Sequence, residues 1–140
     1  MSILGAHTIG FAQCFIFKRR LFDFKGSGKP DPTLDPSALK NLQTMCPNKD
    51  ASNTKLAPLD ALSVYRFDNA YYTNLANNTG LLESDQALKG DPNTAALVNS
   101  YSMNTFLFFN DFAASMVKLG NVGILTGKQG QIRLKCGSVN

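Results

Sequence analysis

Few residues of this 140-residue chain can do chemistry, and one of them is unique. His7 is the only histidine, set in Gly5-Ala6-His7-Thr8-Ile9-Gly10, where small neighbours allow close approach. A large, flat ligand could pack there, with a ring nitrogen left to ligate a metal. A lone His beside apolar neighbours is more often a hydrogen-bonded core residue, and on chemistry alone both readings stand open. Asp60, Ser63 and Asp68 place two carboxylates and a hydroxyl in an irregular stretch. Such hard oxygen donors suit calcium, although Asp68 could equally cap a helix while Asp60 is solvated. Asp85, in Ser84-Asp85-Gln86, reads by itself as a helix-start carboxylate on the surface. Cys14, Cys46 and Cys136 show no Cys-x-x-Cys spacing, which leaves a zinc or thioredoxin-like reading with little support. Their odd number leaves one thiol without a partner inside the chain.

The elements that must position these groups are mainly helical. Residues 1–6 make less than two turns ahead of His7, too few for a helix stable alone, so the chain is expected to start in mid-structure. Apolar and basic residues mix from Phe11 to Phe24, predicting one or two short helices with an aromatic inner face. Lys25-Gly26-Ser27-Gly28-Lys29-Pro30 is a surface loop, since it lacks the spacing of a phosphate-cradling loop. Asp35-Pro36 opens a helix with Leu39 and Leu42 on its apolar face, and Pro47 closes it. Residues 48–66 read mostly as loop. Asp68 caps a helix carrying Tyr71, Tyr72 and Leu75, with Gly80 beyond its end. A short helix covers Asp85 to Leu88, and Asp91-Pro92 opens another bearing Ala95, Val98 and Tyr101 or Ser102. Phe106, Phe109, Phe112, Ala113, Met116 and Val117 make the strongest stripe, predicting a core helix that stops at Gly120. The alternation Gln131-Ile132-Arg133-Leu134-Lys135 predicts a short strand with Ile132 and Leu134 inward.

Composition excludes several classes. Hydrophobic content of 44% with 17% charged residues reads as one globular domain. The net charge of +4 comes from scattered residues, with Lys18-Arg19-Arg20 the longest basic run, too short for a nucleic-acid patch. No apolar run approaches the roughly 20 residues of a membrane span, and residues 1–20 lack the features of a signal peptide. Asn77-Asn78-Thr79 is a glycosylation sequon, and with the cysteines it tilts towards an oxidising compartment.

Taken in order, the motif around His7, Cys14 with Cys46, the Asp60 to Asp68 segment followed by Asn69, and Ser84-Asp85-Gln86 resemble the proximal half of the plant secretory (class III) haem peroxidases. The resemblance runs from about Gly5 to Asn140 and takes in Leu125-Thr126-Gly127 and Gly130-Gln131-Ile132-Arg133-Leu134. It covers nearly all of this chain and about half of the family's domain, so residues 1–140 are expected to form a partial haem-peroxidase domain without its distal half. The expected fold is mainly α, the proximal helical portion of that fold, with a short β segment near the C-terminus.

The resemblance implies that His7 is the axial ligand of haem b iron through Nε2, with Asp85 accepting a hydrogen bond from Nδ1. A carboxylate partner gives the imidazole anionic character and stabilises ferric and higher oxidation states. It further implies a calcium site from Thr8, Asp60, Ser63, Arg66 and Asp68, Arg66 through its carbonyl only, and a Cys14–Cys46 disulfide. The partner of Cys136 lies in the family's other half. Leu4 and Leu59 depart from the usual Ser and aromatic residues. The distal Arg-x-x-Phe-His-Asp motif, which supplies the acid-base His and charge-stabilising Arg, occurs nowhere in the chain, so no catalytic residue of that set is carried here.

The implied function of the full-length protein is hydrogen peroxide-driven, one-electron oxidation of phenolic donors. It would act as a secreted cell-wall or vacuolar monomer with no nucleic-acid or membrane partner. The alternative is a non-catalytic truncated homologue that binds calcium or haem.

Overall fold

The chain is described by a computed structural model over residues 2–140. A 3₁₀ helix, Ser2–Thr8, carries His7 and leads into strand β1 (Phe11–Gln13). Helix α1 (Cys14–Phe22) follows, then a 3₁₀ turn at Phe24–Gly26 and helix α2 (Pro36–Met45). A further 3₁₀ turn (Asp50–Ser52) precedes strand β2 (Leu56–Pro58). Helices α3 (Ala70–Ala76) and α4 (Glu83–Gln86), a 3₁₀ turn (Ala87–Lys89), α5 (Pro92–Met103) and α6 (Thr105–Gly120) complete the order. The protein is mainly α, as the sequence predicts.

The helix starts follow local chemistry. Asp35 accepts from the backbone N–H groups of Ser37 and Ala38, both at 2.9 Å, and Pro36 takes the first helical position. Asp91 does the same for Asn93 and Thr94 ahead of Pro92. Asn104 caps α6 by accepting from Leu107 N–H at 3.0 Å. At α3 the capping position is held by Asn69, while Asp68 accepts from the N–H of Ala70 at 2.8 Å, so Asp68 braces the helix start from one residue upstream.

Two apolar clusters hold the elements together. One joins Cys14, Phe17 and Leu21 of α1 to Leu34, Cys46, Ala57 and Leu81. The other packs Tyr71, Tyr72 and Leu75 of α3 against Val98 and Tyr101 of α5 and Phe108 of α6. The Cys14–Cys46 disulfide forms inside the first cluster, with 5.6 Å between Cα atoms. Its 32-residue separation corresponds to about 3 to 4 kcal/mol of chain-entropy stabilisation.

Two expectations are corrected. Residues 131–135 form no strand, and Ile132 and Leu134 are 97% and 93% exposed. Alternation supplies a pattern, but a strand needs a partner edge to satisfy its backbone, and none among the described residues pairs with this segment. The sheet instead pairs β1 with β2, antiparallel, with Phe11 opposite Pro58, Ala12 opposite Ala57 and Gln13 opposite Leu56. Second, the inward residue of α6 is Phe108, fully buried, while Phe106 is 80% exposed and Met116 and Val117 also face outward. The helix touches the body mainly at its first turns, where Phe67 stacks on Phe108 and Phe109 and tilts against Phe112. Within the Lys18-Arg19-Arg20 run, Arg20 is 3% exposed, on the same inner face of α1 as Phe17 and Leu21.

Candidate functional site

The short β ribbon does the long-range positioning. Leu59 N–H donates to the Gly10 carbonyl at 3.0 Å, extending the β1–β2 pairing by one bond. Thr8 therefore emerges from one end of the ribbon beside Asp60, which leaves the paired strand. Gly10 turns the chain between His7 and β1 with φ of +103°, a conformation that favours glycine.

His7 Nδ1 lies 3.0 Å and 3.1 Å from the two carboxylate oxygens of Asp85. Asp85 is buried, not a surface helix-start group, while the His7 side chain is one-third exposed. The hydrogen bond with Asp85 holds the imidazole pKa above its ordinary value; partial burial works against this, and the charge of Asp85 adds to it. Nδ1 is thus engaged, and Nε2 has no hydrogen-bond partner among the described residues. The ring of Tyr71 meets His7 edge-on at 6.1 Å. Burial pushes the Tyr71 hydroxyl pKa far up, and the nearby Asp85 charge pushes it further.

Among the small residues around His7, Gly5 answers to the protein's own core. A Cβ on Gly5 would lie 2.7 Å from both Phe108 Cζ and the Tyr72 hydroxyl. Gly5 is small because an aromatic cluster presses on the 3₁₀ helix, fixing the segment that carries His7.

Thr8, Asp60, Ser63 and Asp68 converge. The Thr8 hydroxyl donates to Asp60 Oδ2 at 3.1 Å and reaches Asp68 Oδ1 at 3.4 Å. The Ser63 hydroxyl bridges the same two oxygens at 3.3 Å and 2.8 Å. Asp60 is 1% exposed, and its Oδ1 accepts from Leu62 and Ser63 N–H and from the buried Asn74 side chain at 2.7 Å. Arg66 is exposed, with its guanidinium 3.8 Å from Asp68 Oδ2 and its N–H bonded to the Ser63 carbonyl. Among the described residues no three His, Cys, Asp or Glu side chains gather, so any ion here would rely on two carboxylates plus hydroxyl and carbonyl oxygens. Cys136 is free and exposed.

Sequence reasoning missed three supports. Asn74 fixes the Asp60 carboxylate, and its polarity within the buried Tyr71–Leu75 face is the signal that could have found it. Asn69 donates from Nδ2 to the Tyr101 and Ser102 carbonyls and accepts from the Thr105 hydroxyl, tying the Asp68 end of the loop to the α5–α6 junction. Arg20 and Asp31 form a buried pair at 2.7 Å.

The family model described as Peroxidase matches residues 1–104. The chain is 64% identical over 135 residues to Peroxidase 10 of Arabidopsis thaliana, covering 95% of this chain and 39% of that protein. It is 48% identical to Peroxidase 54 of the same plant, across all of this chain and 39% of the relative. It is 46% identical to the lignin-forming anionic peroxidase of Nicotiana tabacum, across all of this chain and 44% of the relative. The chain thus spans about two-fifths of the length of these relatives. With a buried carboxylate on the Nδ1 side of its one histidine and those matches along its length, the chain belongs to the peroxidase family, in the plant secretory (class III) group that its motifs resemble.

Proposed function

We propose that this chain forms the iron-binding, proximal side of a haem-dependent peroxidase. The full-length protein would use hydrogen peroxide to oxidise small phenolic donors one electron at a time. The observation that carries the reading is the His7–Asp85 pair, in which a buried carboxylate occupies Nδ1 and leaves Nε2 of a partly exposed ring for iron. Bound haem b supplies the redox chemistry with peroxide and donor. Asp85 accepts the Nδ1 proton in a hydrogen bond, holds the ring's tautomer and orientation, and lends it the anionic character that favours oxidised iron. Tyr71, edge-on to the ring, and Gly5, packed under Phe108, restrict where the imidazole can sit.

Thr8, Asp60, Ser63, Arg66 and Asp68 fit one calcium ion. The Thr8 and Ser63 hydroxyls hydrogen-bond to oxygens of both Asp60 and Asp68, which supports the reading, and Arg66 would join through its carbonyl. Calcium there would lock the residue next to His7 against the Asp60 loop. Secretion to the cell wall or vacuole fits the disulfide and the exposed Asn77, whose sequon partner Thr79 follows two residues on. No helix among the described residues is long and apolar enough to cross a membrane.

Reconstitution with haem and His7→Ala tests the reading. The unmodified protein is expected to give a Soret band that the variant loses; an unchanged band in the variant would sink iron ligation by His7. A second reading is a calcium- or haem-binding homologue without turnover, resting on the same His7–Asp85 pair and oxygen cluster. Peroxide turnover by the haem-loaded 140-residue chain at the rate of an intact family enzyme would exclude it.

A further inference from the structure

Asp85 is presented by a four-residue helix, too short to hold its own geometry. The chain entering that helix is gripped from both sides. Arg20, on α1, donates through Nη1 to the carbonyls of Gly80 and Leu81, the latter at 2.9 Å. Its Nε donates to Asp31 Oδ2 at 2.7 Å, and the backbone N–H of Asp31 returns a bond to the Arg20 carbonyl at 2.9 Å. Asp31 is in turn fixed by the N–H and hydroxyl of Thr33, at 2.9 Å and 2.7 Å. From the opposite side, Gln86 accepts from Gly80 N–H at 3.2 Å and donates to the Leu75 carbonyl at 3.0 Å. A Cβ on Gly80 would lie 2.5 Å from Leu75 Cδ2 and 2.9 Å from Gln86 Oε1, so glycine lets this segment pack closely on α3 and Gln86.

This arrangement is an uneconomical way to fill a core. Arg20 and Asp31 are both 3% exposed, and Arg20 Nη2 is buried with no hydrogen-bond partner. Buried ion pairs often contribute little net stability compared with apolar side chains of similar volume, and an orphan buried N–H makes the balance worse. What the pair supplies is direction, because a planar guanidinium reaches three acceptors on two separate segments at fixed angles.

We propose that Arg20, held by Asp31, is a positioning residue for His7, acting by fixing the Gly80–Leu81 carbonyls and so the approach of Asp85 to Nδ1. The inference rests on the reading of His7 as the iron ligand, and its test separates the two. The variants are Arg20→Met, an unbranched apolar replacement, and Arg20→Lys, which keeps charge but cannot bond both segments in fork geometry. Asp31→Asn is a milder third variant should either of these fail to fold. Val98→Ala, in the other apolar cluster, is the stability control, and Asp85→Asn is the reference.

The readouts, in the intact haem-loaded protein, are the ferric/ferrous reduction potential and amide hydrogen exchange across residues 80–86. Arg20→Met and Arg20→Lys are expected to raise the potential in the direction of Asp85→Asn. They should also speed exchange in 80–86 by about tenfold or more, the scale expected for losing hydrogen bonds to a charged group. Val98→Ala should lower the melting temperature with neither effect. Asp31→Asn should shift both readouts in the same direction by less. The proposal is overturned if Asp85→Asn raises the potential while the Arg20 and Asp31 variants leave it and the exchange unchanged, or if Arg20→Lys behaves as the unmodified protein. If Asp85→Asn itself leaves the potential unmoved, the iron-ligand reading fails and takes the positioning role with it.

Discussion

At the scale of single residues, Gly5 and His7 divide a task that the sequence pattern made look like one. Glycine beside a histidine suggests room for a ligand, and here the room is filled by Phe108 and Tyr72. Gly5→Ala is therefore expected to destabilise the protein by about 1 to 3 kcal/mol through overpacking, read as a drop in thermal midpoint, with a secondary loss of haem affinity. Unchanged melting would mean that the aromatic cluster yields freely. His7 was legible as a candidate from its uniqueness alone. Asp85 was legible only through the family resemblance, because its burial depends on a contact 78 residues away that no local pattern encodes. Phe108 escaped for a related reason: the stripe through Phe106 and Phe109 is equally regular, and only the neighbours of α6 decide which flank faces inward. Tyr101 adds a smaller instance, its hydroxyl pushed up to about 12 by burial and by donating to Asp111.

Among the elements, helix starts were the most readable features, since Asp35-Pro36 and Asp91-Pro92 carry their own capping chemistry. Asp35→Ala is expected to cost about 1 kcal/mol, measured by denaturant unfolding. Strands were the least readable. Three-residue strands show no usable alternation, and the true pair, β1 with β2, owes its existence to mutual pairing. The Asp60 to Asp68 loop stands between these cases: its donor types were visible, and their convergence required the ribbon to deliver Thr8. Chelation should lower the thermal midpoint of the unmodified protein if the loop binds calcium. Asp60→Asn and Asp68→Asn should each remove that chelator sensitivity, and a chelator effect that survives both substitutions would place the ion elsewhere.

For the whole molecule, acid sensitivity can be assigned a source. Burial tends to raise the Asp31 carboxyl, but hydrogen bonds from Arg20 and Thr33 and the Arg20 charge outweigh it and hold the group below its ordinary value of 3.8. A depressed carboxyl contributes stability above its unfolded value and loses it as pH falls through the folded one. Stability should therefore decline below about pH 4, and Asp31→Asn should flatten that part of the profile in urea unfolding at stepped pH. Much apolar surface is also exposed, including Phe106, Met103 and Val117 near α6 and Tyr65 in the loop, so the isolated chain is expected to self-associate, as light scattering would report.

The disulfide bears on more than stability. Thr8 and Asp60 are 52 residues apart along the chain, a distance that makes their contact slow to find. Cys14 and Cys46 lie between them, and once bridged they shorten the path to about 20 residues. The loop-closure entropy saved is about 0.8 kcal/mol, enough for a several-fold change in the rate at which the Thr8–Asp60 contact is found. Oxidation is thus expected to set the order of assembly, with the bridge formed before the site. Refolding followed by calcium-induced protection of the Asp60 loop should be several-fold slower for the reduced protein than for the oxidised one. Oxidising conditions would then speed the assembly of a site in which neither cysteine takes part.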